Sequence, residues 1–266
     1  MQSLARTCTV WLVVLSVCIA SACQNRPSPP NRVSSAVELD HVYLYAPARS
    51  TEAEVVTALT QVGFRVSQPN QFPDGVVGRY VRFDNVYLEV LWYDGTTQTD
   101  AATRRQSRWE STGASPIGIG LHRVKGRPYE LPFPTRGFAA SWLPPGTEMR
   151  LLGTEAETQA PSMFVVPEER AYADTLTLER QLAAAPSEEL KRRLRNRMHP
   201  LGVRSVTAVR AVVDPSGISE AARMLSESGL VEIVSRNDSL LELTFDNANR
   251  RESRDLRPLL PLVLKY

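Results

Sequence analysis

The stretch from Glu38 to Trp92 constrains the fold more than any other part of the chain, because its pattern changes period from strand to helix and back. Residues 38–46 (ELDHVYLYA) alternate with the period of two that a strand requires. That alternation predicts Leu39, His41, Tyr43 and Tyr45 on one face and Asp40, Val42 and Leu44 on the other. Val55, Val56, Leu59 and Val62 then recur with helical spacing, opened by Thr51 as a cap and closed by Gly63. Phe64–Val66 begins a second strand. Gly78–Phe83 and Val86–Trp92 form two more, joined at Asp84-Asn85, which is turn chemistry. A strand, a helix and then three strands predict a mixed α+β domain.

A related order returns near the end of the chain. Residues 203–213 (VRSVTAVRAVV) read as a strand, Pro215-Ser216-Gly217 as a turn, and Ile218–Ser228 as a helix. Gly229-Leu230 ends that helix as Gly63-Phe64 ends the first, and Leu240–Phe245 (LLELTF) echoes Val86–Trp92. Aligned this way, Ser205 stands against His41 and Glu242 against Glu89, a degenerate internal repeat. Between the copies, residues 116–123 (PIGIGLHR) read as a buried strand, 131–147 as irregular coil or edge structure, and 147–152 and 162–166 as strands. Residues 168–198 read as helical, broken at Pro186, with Ser187 capping the second piece. The expected divisions are a first module at 37–110, irregular middle strands at 111–167, a helical connector at 168–198 and a second, degenerate module at 199–266.

The first residues differ from the rest. Arg6 is the only charge before Asn25, and Val10–Ala20 is a short apolar run followed by Ser21 and Ala22. Residues 1–22 therefore read as a secretory signal peptide, the alternative being an uncleaved anchor; the run is short of the roughly 20 residues that span a bilayer. The chain has 3 cysteines, Cys8, Cys18 and Cys23, so the body after Cys23 has no disulfide framework. Cleavage after Ala22 would make Cys23 the first residue, which resembles the lipobox of bacterial lipoproteins. The resemblance implies acylation of Cys23 (palmitate among the chains), with an ordinary cleaved signal and an incidental cysteine as the alternative. Gln24 after it resembles the sorting pattern for the outer membrane of a Gram-negative cell. Residues 24–36 (QNRPSPPNRVSSA) read as a tether. The expected place is outside the cytoplasm, lipid-anchored to the cell membrane or outer membrane and facing the periplasm. A net charge of +2 over 266 residues gives no field for nucleic acid.

The runs LDHVYLYAP, VGF and FDNVYLEVLW resemble the glyoxalase-like domain of the vicinal oxygen chelate (glyoxalase/bleomycin resistance/dioxygenase) superfamily. SPIGIGL, PFPTRGF, HPLGV and DLRPLLPLVLKY are similar to later blocks of such proteins. The resemblance implies paired βαβββ modules whose sheets curl around a shared cavity. It further implies a divalent metal (Zn, Mn, Ni or Fe) held by His41, Glu89 and Glu242. Ser205 stands where a second histidine is expected, and His122 and His199 are candidate substitutes. The chemistry implied is of lyase, isomerase or dioxygenase type, with Glu89 or Glu242 moving a proton. The alternative, from another class, is a non-catalytic protein that binds or sequesters a small molecule. Tyr43, Tyr45, Tyr87 and Trp142 would wall its cavity. A plainer reading of the same residues has His41 hydrogen-bonded in a polar pocket and Glu89 paired with an arginine. The partners expected are a small-molecule ligand, a membrane through the lipid anchor and, where superfamily sites cross chains, a second copy in a homodimer. The basic run Lys191–Arg197 suits either anionic headgroups or the solvated face of a helix with Leu190 and Leu194 inward. No phosphate-cradling loop, zinc-finger spacing or nucleophile elbow is present.

Overall fold

The computed structural model describes residues 36–95, 99–126, 134–140, 143–154, 157, 159–172, 178–195 and 197–266. The leader, Cys23, the tether up to residue 35 and Trp142 lie outside the described residues.

The first sheet takes eight strands: β1 (Val37–Tyr45), β2 (Asn70–Gln71), β3 (Val76–Arg82), β4 (Tyr87–Tyr93), β5 (Ile117–Arg123), β6 (Thr135–Phe138), β7 (Met149–Leu152) and β8 (Ser162–Val165). Its order, β2-β3-β4-β1-β5-β8-β7-β6, repeats one pairing scheme twice. In the first half β1 runs parallel to β4, and β3 lies antiparallel between β4 and β2. In the second half β5 runs parallel to β8, and β7 lies antiparallel between β8 and β6. The antiparallel pair β1–β5 joins the halves. Helix α1 (Glu52–Val62) fills the crossover of the first half; the described residues between β5 and β6 hold no helix. Thr51 and Glu54 close a capping box at its start, and Gly63 ends it with a left-handed φ of 99°. The architecture is α+β, built on paired βαβββ-type modules.

The pairing corrects one expectation. The partner of the first module is the stretch 117–165, which the sequence suggested was irregular, and not 199–266. Residues 206–265 form a separate sheet from β9 (Val206–Val213), β10 (Glu232–Ser235), β11 (Leu240–Phe245), β12 (Ser253–Asp255) and β13 (Leu262–Lys265), in the order β10-β9-β11-β13-β12. Here β9 pairs parallel with β10 and antiparallel with β11, so the sheet does not repeat the module scheme. Helices α2 (Ala101–Ser107) and α3 (Trp109–Thr112) connect β4 to β5, α4 (Leu178–Ala184) and α5 (Glu188–Arg195) lie between the sheets in sequence, and α6 (Glu220–Glu227) crosses from β9 to β10. On α5, Lys191, Arg192 and Arg193 pair with Glu188 and Glu189, and Leu194 is buried while Leu190 is 39% exposed. The basic run is thus a solvated face with only one of its two leucines turned inward.

One apolar core joins the two sheets. Val42, Leu44, Leu88, Val90, Ile117, Ile119 and Leu121 of the first pack with α1 and with Ala211, Leu241, Leu243 and Phe245 of the second. Polar contacts fix the docking. The Asn85 side chain donates to the Val206 carbonyl (2.8 Å) and accepts from the Val206 N–H (3.0 Å). Arg204 pairs with Asp84 at 3.0 Å. His199 sits against Phe64 and Phe83; its Nδ1 accepts from the Arg65 N–H at 3.0 Å, so its Nε2–H donates to the Arg82 carbonyl at 2.9 Å. His199 is therefore a structural clamp and not a ligand.

Burial lowers the His199 pKa below that of an ordinary histidine. A histidine held neutral in the fold takes up its proton more readily when unfolded, so its contribution is complete above the unfolded pKa of about 6.5 and falls as pH drops through that value. The expected outcome is a melting temperature that declines below pH 6.5 in the wild type and declines less in His199→Gln, measured by thermal denaturation across pH.

Candidate active site

The face of the first sheet opposite the shared core carries the polar groups. Alternation along β1 is broken: Leu39 pairs with Leu121 and His41 with Gly120, leaving Asp40 as an extra residue in a bulge. Before the bulge, Val37 and Leu39 face the core; after it, Val42 and Leu44 do. Leu39, expected beside His41, therefore packs the core. Asp40, expected among the apolar residues, turns to the His41 side.

Asp40 is fully buried at 0% exposure. Its Oδ1 lies 2.5 Å from His41 Nδ1, and its Oδ2 accepts the Tyr172 N–H at 2.6 Å. A carboxylate that only accepts leaves the proton on His41 Nδ1 and holds the ring in one orientation. Nε2 then has no hydrogen bond among the described residues. The imidazole, 5% exposed, stacks on Tyr87 at 4.4 Å and 12° and lies over Gly120, where a Cβ would collide with it. Phe164 of β8 borders the ring at 5.3 Å. His122 is on the same face, with Nδ1 3.6 Å from Asp40 Oδ2 and Nε2 3.4 Å from Glu38 Oε2. Asp40 thus stands between two imidazoles.

Glu89 of β4 shares this face, 7% exposed, beside Tyr43 and Tyr80 in register. Burial raises its pKa, while the nearby His41 and the Tyr80 hydroxyl bond oppose that rise. Its Oε1 is buried without a hydrogen-bond partner and lies over Gly78, whose Cβ would come within 2.7 Å. The face thus brings together a carboxyl whose neutral form burial favours and an imidazole oriented by a carboxylate.

The expected aromatic walls divide. Tyr87 covers the imidazole and meets Tyr80 and Tyr172 edge-on at 5.6 and 5.0 Å. The Tyr43 hydroxyl donates to Gln106 of α2 at 2.8 Å, and burial pushes its pKa up to about 12. Its ring lies over Gly118. Tyr45 packs with Val76 and Leu91 and is core filling.

Glu242 is not brought here. It lies on β11 facing away from the shared core, where Leu241 and Leu243 point inward, and it pairs with Lys265 (2.5 Å) and Arg210 (3.5 Å). The expected trio of His41, Glu89 and Glu242 is therefore split between opposite sides of the molecule. Among the described residues no group of three His, Cys, Asp or Glu side chains is placed to hold a metal ion. Asp40 on Nδ1 leaves His41 Nε2 open and Glu89 shares that face, but Glu242 is elsewhere, so the three-residue set expected for the metal is not assembled among the described residues.

No protein-family model matches the chain, and no curated protein matches it at a significant level. Among solved structures, a hypothetical protein from Staphylococcus aureus is similar with a TM-score of 0.43 and 10% identity, over 86% of this chain and 98% of its own. A hypothetical protein from Bacillus halodurans matches with a TM-score of 0.33 and 14% identity, over 51% of this chain and 97% of its own. Methylmalonyl-CoA epimerase, solved with methylmalonyl-CoA and NH4+, matches with a TM-score of 0.31 and 16% identity, over 50% of this chain and 97% of its own. At such scores none of them bears on this chain's chemistry. The strand order itself is the paired-module arrangement that a glyoxalase-like fold implies.

Gly120→Ala would force the His41 ring aside. The expected cost is about 1–3 kcal/mol from overpacking, with a changed His41 resonance in NMR and a lower melting temperature. A variant as stable as wild type with an unmoved resonance would contradict the placement.

Proposed function

We propose that the chain is an exported, lipid-anchored protein of the vicinal oxygen chelate kind that moves a proton on a small-molecule ligand by acid–base catalysis. The observation that carries this reading is a Glu89 Oε1 buried without a hydrogen-bond partner on the face where Asp40 holds His41 by Nδ1 and leaves Nε2 to a ligand. Leaving a buried polar atom unpaired costs about 1–3 kcal/mol, a cost that a purely structural site would avoid. Asp40 holds the proton on Nδ1 and stabilises the imidazolium that forms when Nε2 takes a proton from the ligand. Glu89, its carboxyl favoured in the neutral form, returns a proton to the opposite part of the ligand. Tyr87 and Phe164 keep water from the imidazole. The reaction class this supports is an isomerisation or elimination beside a carbonyl, with no step assigned to a metal.

Sequestration without turnover is the second reading, favoured by the low exposure of His41 and Glu89. Both are tested by incubating the protein in D2O with a panel of 2-oxo acids, 2-hydroxy acids and simple ketones, read by proton NMR. The acid–base reading expects deuterium to replace a carbon-bound hydrogen in at least one compound. His41→Gln or Glu89→Gln should slow that exchange by about 10²–10⁴-fold. Binding without exchange would move the protein to the sequestration reading, and neither exchange nor binding would overturn both.

The anchor is tested separately. Cys23→Ser should shift the protein from the membrane fraction to the soluble periplasmic fraction, and the wild type should carry acyl mass on its first mature residue. A wild-type protein that is soluble and unacylated would end the lipoprotein reading.

A further inference from the structure

A cavity of about 130 Å³ lies at the hydroxyl end of Tyr43. Gln106 and Ser162, which hydrogen-bond that hydroxyl, are part of its wall. We propose that this cavity binds the oxyanion end of a small ligand, a carboxylate or a phosphate group, between Arg105 and Arg136.

The two arginines come from different elements, α2 and β6, and both residues line the space. Ala102, Arg105 and Gln106 stand at i, i+3 and i+4 on α2, so one helix face turns to the cavity. Arg105 has no ion pair among the described residues. One carboxylate also lines the wall, Glu157, and its Oε2 is occupied by the Thr154 N–H at 3.0 Å. Among the described lining residues the charged side chains are these two arginines, Arg136 with a partner of its own, and one glutamate. Ser115, Ser162 and Gln106 add neutral hydrogen-bonding groups. Planar guanidinium forks match the oxygens of carboxylate and phosphate, which a lone hydroxyl or amide does not. The volume is that of roughly four waters at ~30 Å³ each, so it suits a compact anionic group and not a whole cofactor.

Tyr43 is two residues from His41 on the same strand face, a separation of roughly 7 Å. A ligand anchored by its oxyanion beyond Tyr43 would need a body of only a few atoms to bring a carbon to Nε2. This link rests on the acid–base reading; the anion site itself does not.

The test titrates 15N-labelled full-length protein with malonate and, separately, inorganic phosphate, at ionic strength held constant with sodium chloride. Saturable shifts confined to residues 102–106, 114–116 and 160–163 are expected. Arg105→Gln, at an exposed residue on the rim of the cavity, should weaken them by about tenfold, the weight of one charge-assisted hydrogen bond. Tighter malonate binding would assign a carboxylate, and tighter phosphate binding a phosphoryl group. His41→Gln should bind the anion as the wild type does. The inference is overturned if neither anion gives a saturating shift, or if Arg105→Gln and Arg136→Gln both leave the shifts unchanged. Anion binding retained without any deuterium exchange would remove the acid–base reading alone.

Discussion

The arrangement depends on a buried carboxylate. Asp40 has no solvent contact, and taking a carboxylate out of water costs several kcal/mol unless charged and hydrogen-bonding partners replace the water. The chain supplies them with the His41 imidazole, the Tyr172 amide and, further off, His122. With strict alternation the same carboxylate would point among Val42, Leu44 and Leu121 and have none of these. The bulge at Asp40 is what allows an acidic residue in the middle of a buried strand, and in turning the carboxylate it also fixes which imidazole nitrogen is free.

The rest of the fold divides labour around that strand. The second sheet and α1 seal one face of the first sheet into a continuous apolar core. The opposite face holds only smaller apolar clusters, around Tyr45 and Phe164, and carries the polar groups beside them. On that opposite face, β5 contributes glycines at 118 and 120 so that the rings of Tyr43 and His41 lie flat across it. The Asp84-Asn85 turn and His199 lock the second sheet in place through backbone carbonyls and amides, at a distance from the site face.

Much of the first half was legible in the sequence. The Thr51 cap, the Gly63 stop and the turn at Asp84-Asn85 follow from spacing and capping chemistry that act locally, whereas the common face of His41 and Glu89 was implied only by the family resemblance. The bulge was not legible, because one inserted residue leaves a run such as ELDHVYLY looking alternated. The second module hid for a different reason. Its strands at 116–123, 147–152 and 162–166 were read as strands, but their pairing with β1 and with one another is long-range and leaves no local pattern. The repeat at 199–266 misled because strand, helix and strand can pair in several orders, and composition does not say whether β9 meets its neighbour parallel or antiparallel. Glu242 was misplaced with it: a glutamate at the centre of a strand serves equally well as an outward partner for Lys265 and Arg210. Whether His122 approaches Asp40 is a question of long-range register that no local pattern encodes.

The central claim is that Asp40 fixes the His41 tautomer and leaves Nε2 as the free base. Imidazole 15N NMR of the folded protein tests it most directly. The account expects a proton held on Nδ1 and hydrogen-bonded at neutral pH, with Nε2 unprotonated, and expects that pattern to be lost in Asp40→Asn. A His41 carrying its proton on Nε2, or a spectrum indifferent to Asp40→Asn, would contradict it.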